Sequence, residues 1–455
     1  MQDLTQGSIT RHLLKLAGFM IFTMVFQTLY LLADLYWVGR LGKEAIAAVS
    51  VCGNLMMVTI AVTQALSVGT TTLISHAAGR KDSDDVQHVF NQSLVLSAVT
   101  GVAFLAVGLA TARLYAVSFS ADAATAELAT KYLAWFIPAM ALQFLIVGMA
   151  AALRGVGDLK PTMLIQIATV VFNAALAPFL IFGWVTHHPM GVTGAAVATL
   201  FAVAIAVVLF IFYFLRPDKY LKFRPQDWSK PDLDNWRKMV KIGVPAGGEF
   251  LLISVYMGVI YLVTRRFGAA TQAGFGIGGR VMQSMFLPII AIAFSLAPII
   301  GQNYGAKKPE RVRTAFKDAA ILVSAVMFTL TVLCHISPHS LLLPFSKDEA
   351  VLAAGVQFLT IISLNYLAQG LIFISSSTFQ GLGNTLPPLF ASSLRLVLFA
   401  LPAFIWSRQP GFKTEYLWYL SVASVTIQMA VNLLLVRREF GRKLAPLTAA
   451  SIATA

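Results

Sequence analysis

Twelve long stretches of mainly apolar residues recur along the chain, and they limit its possible folds more than any other feature. A helix that spans a bilayer needs about 20 consecutive, mostly apolar residues, and each stretch reaches that length. The stretches lie near residues 13–38, 46–75, 87–113, 127–152, 161–183, 191–215, 239–264, 271–300, 312–336, 349–377, 387–407 and 415–436. The sequence therefore predicts an all-α membrane protein with one transmembrane helix for each stretch.

The charged residues favour lipid, and not nucleic acid, as the surroundings of this chain. Only 12% of its 455 residues are charged and 58% are hydrophobic, whereas a soluble domain has about 25% charged residues. The net charge is +14, but Lys and Arg cluster in short loops between apolar stretches, as the positive-inside rule expects. Cys52 and Cys334 lie inside apolar stretches, so we predict neither a disulfide nor a metal site.

The distribution of basic loops predicts the orientation in the membrane. The polar linker at 216–241, Lys307 and Arg437 all fall on the side that carries both termini. Because cytoplasmic loops are enriched in Lys and Arg, both termini are predicted to be cytoplasmic. The N-terminus is polar and the first apolar stretch is too long for the core of a signal peptide, so no cleaved leader is expected.

The two halves of the chain repeat each other at a constant distance of 226 residues, for example 268 minus 42. The matched pairs are Gly42 and Gly268, Gly79 and Gly305, Gly157 and Gly383, and Pro161 and Pro387. An even number of helices per half gives a parallel repeat. We predict an N-lobe at 1–215, a linker at 216–238 and a C-lobe at 239–455 around a central cavity, which rocking of the lobes opens to each side in turn.

The first apolar stretch carries a single acid, Asp34, at the end of the segment Gln27-Thr-Leu-Tyr-Leu-Leu-Ala-Asp34. Gln27 and Tyr30 precede it by seven and four residues, so the three side chains share one helix face. A carboxylate in hydrocarbon must be surrounded by protein or water, or be protonated, because its ionised form is costly there. One interpretation is an ion or proton site that faces a cavity; the other is an interfacial carboxylate neutralised by Arg40.

Short motifs at matching places in the two halves indicate a known family. They are the Gln27–Asp34 segment, Leu153-Arg-Gly-Val-Gly-Asp158 before Pro161, Gly243-Val-Pro-Ala246, Pro298-Ile-Ile-Gly-Gln-Asn303, and Phe379-Gln-Gly-Leu-Gly-Asn384. With these motifs the chain resembles the multidrug and toxic compound extrusion (MATE) family, and within it the DinF-like branch. MATE proteins belong to the multidrug/oligosaccharidyl-lipid/polysaccharide flippase superfamily. The likeness covers nearly the whole chain.

The resemblance implies export of amphipathic, often cationic organic molecules across a bacterial inner membrane, driven by inward flow of H⁺ or Na⁺. Asp34 matches the acid of the family's first helix, with Gln27 and Tyr30 as its neighbours. Asn173 in the fifth helix and Thr199 in the sixth match polar partners of that acid. The resemblance thus predicts a coupling site of five residues in a protein that functions as a monomer, with no cofactor besides the coupling ion.

Two departures from the family pattern affect this prediction. Many DinF-like members carry a second carboxylate four residues after the Asn of the fifth helix, where this chain has Ala177. Hard cations prefer several oxygen ligands, so the missing carboxylate favours H⁺ over Na⁺. A proline often found in the first helix is replaced by Phe19, although Pro245 occupies the matching place in the second half. A proline kink of the first helix is therefore not expected.

Three further charges, Glu249, Arg280 and Arg395, lie within apolar stretches of the second half. A lone acid in hydrocarbon should pair with an arginine or be protonated. One interpretation is a second coupling or cation-binding group in the cavity. The other is a buried pair of Glu249 with Arg395 or Arg280 that stabilises helix packing.

The residues expected to contact the substrate come from helices that line a MATE-type cavity. Flexible thioethers suit a pocket that accepts many compounds. The predicted cavity residues are Met24, Met57, Gln64, Gln143, Met282 and Gln283.

The leading interpretation is a secondary-active multidrug exporter that exchanges organic compounds for H⁺. The alternative is a flippase for lipid-linked oligosaccharide or polysaccharide precursors, which should line its cavity with cations that hold pyrophosphate. An enzyme is disfavoured, because the sequence contains no Walker motif and no H-E-x-x-H or G-x-S-x-G pattern.

Overall fold

The chain folds into α-helices joined by short loops. The computed structural model describes residues 2–120, 122–184, 187–228 and 230–448, and these residues contain no β-strand. The helices are α1 (Ile9–Gly39), α2 (Lys43–Gly79), α3 (Ser83–Phe119), α4 (Ala123–Gly155), α5 (Lys160–Phe182), α6 (Val192–Leu215), α7 (Leu233–Thr264), α8 (Ala269–Gly305), α9 (Pro309–Ile336), α10 (Pro338–Leu342), α11 (Glu349–Ile362), α12 (Tyr366–Gly381), α13 (Leu386–Trp406) and α14 (Thr414–Lys443).

The described residues form 12 helical spans that are long and apolar enough to cross a membrane, which confirms the predicted fold class. The tenth span consists of α11 and α12, joined by the single 3₁₀ turn Ser363–Asn365. Most spans extend beyond the predicted stretches, and polar caps account for some of these extensions. Asp82, for example, accepts a hydrogen bond from the backbone N–H of Asp85, so α3 begins before the apolar stretch does.

The helices assemble into two compact units. The first unit consists of Met1–Asp3 and Gly18–Gly247, and the second consists of Leu4–Ala17 and Gly248–Ala455. Each unit therefore includes the segment that precedes the first long helix of the other half. The predicted halves at 1–215 and 239–455 describe the duplication and stay a prediction.

In the first unit, α4 packs against α2, α3 and α6. Small residues allow the backbones to approach closely: a Cβ atom on Gly101 of α3 would lie 2.7 Å from the carbonyl oxygen of Ala141 in α4. Small residues at contacts are typical of membrane helices. The Gly243-Val-Pro-Ala246 motif has the same role, since a Cβ on Gly243 would collide with the carbonyl oxygen of Ala65 in α2.

An ordered strap completes the first unit. We define the linker strap as residues 220–228 and 230–232, which cross the beginning of α3. Gln87 accepts a hydrogen bond from the Lys222 N–H at 2.8 Å, and Asn91 accepts from the Arg224 N–H at 2.9 Å. These amides supply the partners that the linker's backbone would otherwise find only in water.

His88, which is half-buried on the same helix, contacts the linker strap at two acids. Its Nδ1 lies 3.3 Å from Asp227 and its Nε2 lies 3.0 Å from Asp232. Asp232 also accepts a hydrogen bond from the Asn235 N–H and so caps α7. The pKa of the Asp232 carboxyl lies below its ordinary value, chiefly because of the hydrogen bond with His88.

In the second unit, α8 packs against α9, α11 and α12, while α14 packs against α11, α12 and α13. The N-terminal strap, residues 4–10, is held by the Pro298-Ile-Ile-Gly-Gln-Asn303 motif. Gln302 accepts a hydrogen bond from the Leu4 N–H at 3.0 Å, and Asn303 donates to the Leu4 carbonyl at 3.1 Å. Arg311 then donates to Asn303 at 2.9 Å. This motif therefore has an evident structural role.

Candidate functional site

The first candidate site lies where α1 meets α6 in the first unit. The hydroxyl groups of Tyr30 and Thr199 are 3.0 Å apart. Thr199 donates its own proton to the carbonyl oxygen of Ala195 at 3.1 Å, so Tyr30 is the donor in the pair. The structure thus brings together two of the five residues that the resemblance assigned to coupling.

Asp34 lies one helical turn beyond Tyr30, five residues before the end of α1. Its Oδ1 atom is buried and accepts no hydrogen bond from any residue in the described part of the chain. A buried acceptor without a donor costs about 1–3 kcal/mol, so the site favours an added proton or cation.

Asn173, on α5, is the most buried of the predicted coupling residues, at 1% exposure. Neither polar atom of its amide has a hydrogen-bond partner among the described residues. One turn later, Ala177 is packed in a hydrophobic cluster that also contains Val38, the residue one turn beyond Asp34, and Tyr132. An acid at position 177 would therefore meet an apolar core in this protein.

The remaining predictions for this site have different outcomes. Gln27 is exposed, and among the described residues no hydrogen bond joins it to the hydroxyl pair. Arg40 does not neutralise Asp34: its guanidinium stacks on the rings of Tyr36 and Trp37, at 4.7 and 5.4 Å from the ring centroids, and the described residues include no ion pair between it and Asp34.

Tyr132 of α4 was missed by the sequence analysis. It is buried in the cluster that flanks Asp34. The repeat carries a signal that could have found it, since position 358, which is 132 plus 226, is also a buried aromatic residue, Phe358. Only the first half adds a hydroxyl to the ring.

The second candidate site is a cavity of about 180 Å³ within the second unit. Glu249, midway along α7, lies on its wall and accepts hydrogen bonds from Ser376 at 2.7 Å and from Ser392 at 3.4 Å. Ser392 in turn accepts from Gln428 at 3.0 Å. The carboxylate is therefore solvated by hydroxyl groups of α12 and α13.

Arg395 lines the same cavity but is not the counter-ion of Glu249. Its guanidinium stacks on the Tyr256 ring at 4.1 Å and donates to Gln428 at 3.4 Å. Arg280 is exposed on α8. Among the described residues, Glu249 forms an ion pair with neither arginine. This conformation therefore lacks, in its described part, the buried pair that was one of the two interpretations of the sequence.

The predicted substrate-contacting residues divide between the units. Met282 lines the second-unit cavity, while Gln283, the next residue, is exposed. In the first unit, Met57 is exposed and the buried Oε1 of Gln64 has no partner among the described residues. The half-buried predicted residues of the first unit are Met24, Gln64 and Gln143.

A second hydroxyl pair in the second unit repeats the first. Tyr256 corresponds to Tyr30 by the offset of 226, and its hydroxyl lies 2.7 Å from that of Ser421. The last helices of the two halves, α6 and α14, start at Val192 and Thr414, which are 222 residues apart. By that local offset, Ser421 corresponds to Thr199.

Among the described residues, neither candidate site has an arrangement typical of a metal enzyme. Within the described residues, no three side chains of His, Cys, Asp or Glu are grouped so that they could hold a metal ion. The polar groups of both sites are single carboxylates surrounded by hydroxyls, amides and aromatic rings.

Twelve apolar helices, a duplicated architecture and buried acids inside apolar helices define a multi-pass membrane protein of the transporter class. The model of the MatE family matches the chain twice, over residues 20–179 and 245–405. The chain therefore belongs to the MatE family, as its motifs predicted. The matches are offset by 225 residues at their starts and 226 at their ends, which confirms the repeat.

Curated relatives match along most of the chain. Probable multidrug resistance protein YoeA of Bacillus subtilis is 26% identical, with 92% of this chain and 90% of that protein covered. Multidrug export protein MepA of Staphylococcus haemolyticus is 27% identical, covering 88% and 90%. An FAD transporter of Shewanella oneidensis is 26% identical, covering 82% of each.

Solved structures show the same fold. An outward-facing multidrug resistance MATE family transporter matches with a TM-score of 0.89 at 24% identity, over 97% of this chain and 98% of that chain. A multidrug/oligosaccharidyl-lipid/polysaccharide (MOP) superfamily transporter from Pyrococcus furiosus matches with a TM-score of 0.87 at 24% identity, over 96% and 97%.

Proposed function

We propose that this protein is a secondary-active exporter that exchanges amphipathic, mainly cationic organic compounds for H⁺ across the bacterial inner membrane. The observation that carries the proposal is the buried oxygen of Asp34, which has no donor among the described residues. The names of the Bacillus and Staphylococcus relatives support drugs as the substrate class. We also propose that it acts as a monomer with both termini in the cytoplasm.

The donor set around Asp34 favours H⁺ over Na⁺. A hard cation prefers several oxygen ligands, whereas the Tyr30 hydroxyl is bonded to Thr199 and Ala177 offers no carboxylate. At this site, the Asp34 oxygen and the Asn173 amide are polar groups that have no hydrogen-bond partner among the described residues and could contact a cation. A proton needs only the carboxylate oxygen, and protonation removes the buried charge.

Coupling requires that proton binding and drug binding bias the same conformational equilibrium in opposite directions. The neutral carboxyl is favoured in the conformation where Asp34 is shielded from water, and the carboxylate is favoured where water reaches it. Protonation from outside therefore favours release of the drug outside, and proton loss to the cytoplasm resets the site.

Transport measurements in proteoliposomes test the proposal. The protein is reconstituted into lipid vesicles, and the vesicles are loaded with ethidium. A pH gradient or a Na⁺ gradient is then imposed across the vesicle membrane in separate experiments. We expect the pH gradient to drive ethidium transport and the Na⁺ gradient to leave it at the level of protein-free vesicles. Asp34→Asn should lower the driven rate to that same level, because an amide carries no exchangeable charge.

The matched control is Glu127→Gln, which removes an exposed acid that forms a salt bridge with Lys131. It should transport ethidium as the unmodified protein does. Full transport by Asp34→Asn, or transport driven by Na⁺ alone, would contradict the proposal. Movement of a fluorescent lipid-linked sugar without ethidium transport would favour the flippase alternative.

A further inference from the structure

The second-unit cavity is lined by a cation, Arg395, that forms no ion pair with any of the described residues. Arg395 has five N–H donors, but among the described residues it makes one hydrogen bond, to the neutral amide of Gln428 at 3.4 Å. Its Nε atom is buried and has no partner among the described residues. A guanidinium ion within an apolar helix normally pairs with a carboxylate or with backbone carbonyls.

The carboxylate on the wall of the same cavity, Glu249, accepts its hydrogen bonds from neutral donors. One of its oxygens accepts from Ser376 and the other accepts from Ser392. Gln428 and Ser392 lie between the two charges as a relay of neutral groups. The geometry thus separates the carboxylate of Glu249 from the guanidinium of Arg395, although both groups line one cavity. The guanidinium is left able to bind an anion.

The ring of Tyr256 holds the guanidinium in one orientation. The Arg395 Cζ atom lies 4.1 Å from the ring centroid, and the ring is held in turn by its hydroxyl contact with Ser421. Stacking on an aromatic face leaves the edge of the guanidinium free, and this edge is the part that forms paired hydrogen bonds with a carboxylate.

The size and walls of the cavity limit what enters. A cavity of about 180 Å³ is smaller than the 300–1,000 Å³ or so of a pocket that encloses a whole drug-sized ligand. Its apolar walls include Phe250, Met282 and Phe286. Such a cavity fits one flat aromatic end of a larger molecule.

We propose that this cavity is an anion subsite, in which Arg395 binds the carboxylate of an aromatic acid group carried by an exported compound. The inference rests on the proposed export function and narrows its substrate class: compounds that combine a cationic ring system with an aromatic carboxylate bind through both charges. Glu249, on the opposite side of the neutral relay, stays available for the cationic part.

A matched pair of dyes tests the subsite. The probes are a rhodamine that carries a free benzoate and its methyl ester, which differ in that negative charge and in one methyl group. Binding to the purified protein is measured by fluorescence polarisation. We expect Arg395→Gln to weaken binding of the acid by about tenfold or more, as for loss of a charge-assisted hydrogen bond. Binding of the ester should stay within about twofold, since the ester makes no such bond.

Two further variants separate recognition from structure. Arg395→Lys keeps the charge without the planar fork, so it should recover part of the affinity for the acid. Arg266→Gln removes an exposed arginine of the same unit that donates to the Ser407 carbonyl, and it should leave both dyes unaffected.

The outcomes distinguish this inference from the proposed function. If Arg395→Gln lost the same affinity for both dyes, or lost no affinity for the acid, the subsite would be overturned. If the unmodified protein binds and transports the ester but not the acid, the subsite is overturned and the exporter proposal stands. If it binds and transports neither dye, both proposals fail.

Discussion

The two halves of the chain share their helices but place their polar groups at different positions. In the first unit, the Oδ1 atom of Asp34 and both amide atoms of Asn173 are buried and have no hydrogen-bond partner among the described residues. Adding 226 gives Ile260 and Phe399 in the second unit, and both are packed in a hydrophobic core with Tyr256. The position that holds a buried acid in one half is therefore a closed apolar core in the other.

The reverse holds for the polar cavity of the second unit. Glu249 corresponds to Thr23, eleven residues before Asp34, and Arg395 corresponds to Thr169. Ser376 corresponds to Ala150, which is half-buried in the first unit. Each half has thus introduced charge at a different level of the same helix framework, while the hydroxyl pairs Tyr30–Thr199 and Tyr256–Ser421 are kept in both.

The straps show a third difference of the same kind. Gln92 on α3 binds the linker strap, accepting from the Asp232 N–H at 2.9 Å. Its counterpart at 318, which is 92 plus 226, is Asp318 on α9, which accepts from Thr10 at 2.8 Å. Equivalent helix faces therefore bind residues at the start of a long helix, with an amide in one half and a carboxylate in the other.

The largest expected effect comes from giving the second unit the acid of the first. Ile260→Asp places a carboxylate in the core that contains Phe399 and Trp418, at a cost of roughly 3 kcal/mol. We expect a large loss of monodisperse protein in size-exclusion chromatography and a lower unfolding midpoint.

The control for that change is Ile260→Val, which should cost about 1 kcal/mol and leave the chromatographic profile unaltered. Stability of Ile260→Asp close to that of the unmodified protein would mean that water reaches this position. The contrast between the two halves would then be wrong.

The next largest effect concerns Glu249, which is the acid among the residues that line the second-unit cavity. Glu249→Gln removes its charge and keeps its shape, so we expect ethidium efflux to fall several-fold. Protein stability should change by only about 1 kcal/mol, the size of one altered hydrogen bond. Ser376→Ala is the control, because it removes a hydrogen bond and keeps the charge. Unchanged efflux with a large loss of protein would instead assign Glu249 to packing.

A smaller effect is expected from exchanging the aromatic residues that correspond between the halves. Tyr132→Phe should alter the free energy of unfolding by about 1 kcal/mol or less, because the ring remains, and should slow ethidium efflux less than Asp34→Asn does. Phe358→Tyr adds a hydroxyl next to Phe275 and Trp418, which should cost about 1–3 kcal/mol. Complete loss of efflux in Tyr132→Phe would show that its hydroxyl is essential.

The smallest effect involves the linker strap. Because the pKa of Asp232 lies below its ordinary value, its contribution is present at pH values above the unfolded pKa of about 3.9 and is lost as the pH falls through the lower folded pKa. Hydrogen exchange of the Lys222 and Arg224 amides should therefore stay slow from neutral pH to about pH 4. Asp232→Asn should speed that exchange several-fold at pH 7, and Asp234→Asn, at the neighbouring acid, should not. Equal exchange in both variants would contradict the role of Asp232.

Much of the fold was predictable because hydrophobic length and periodicity are local properties. The apolar stretches predicted all 12 spans, and the glycine and proline pairs predicted the repeat. The pairing of Tyr30 with Thr199 was indicated only through the family resemblance, because the two residues are 169 positions apart. The charge of the linker is visible in the sequence, but its attachment to α3 is not. Hydrogen bonds from the linker backbone to distant side-chain amides leave no periodic pattern in the sequence.

The sequence alone determined the class of the protein, its duplication and the presence of a lone acid in the first apolar helix, because apolar length and charge are readable residue by residue. Only the tertiary structure decided that Arg40 stacks on Tyr36, that serines donate hydrogen bonds to Glu249 and that Arg395 stacks on Tyr256. The partners of a buried charge are chosen by packing between helices distant in sequence, and that choice depends on three-dimensional distance.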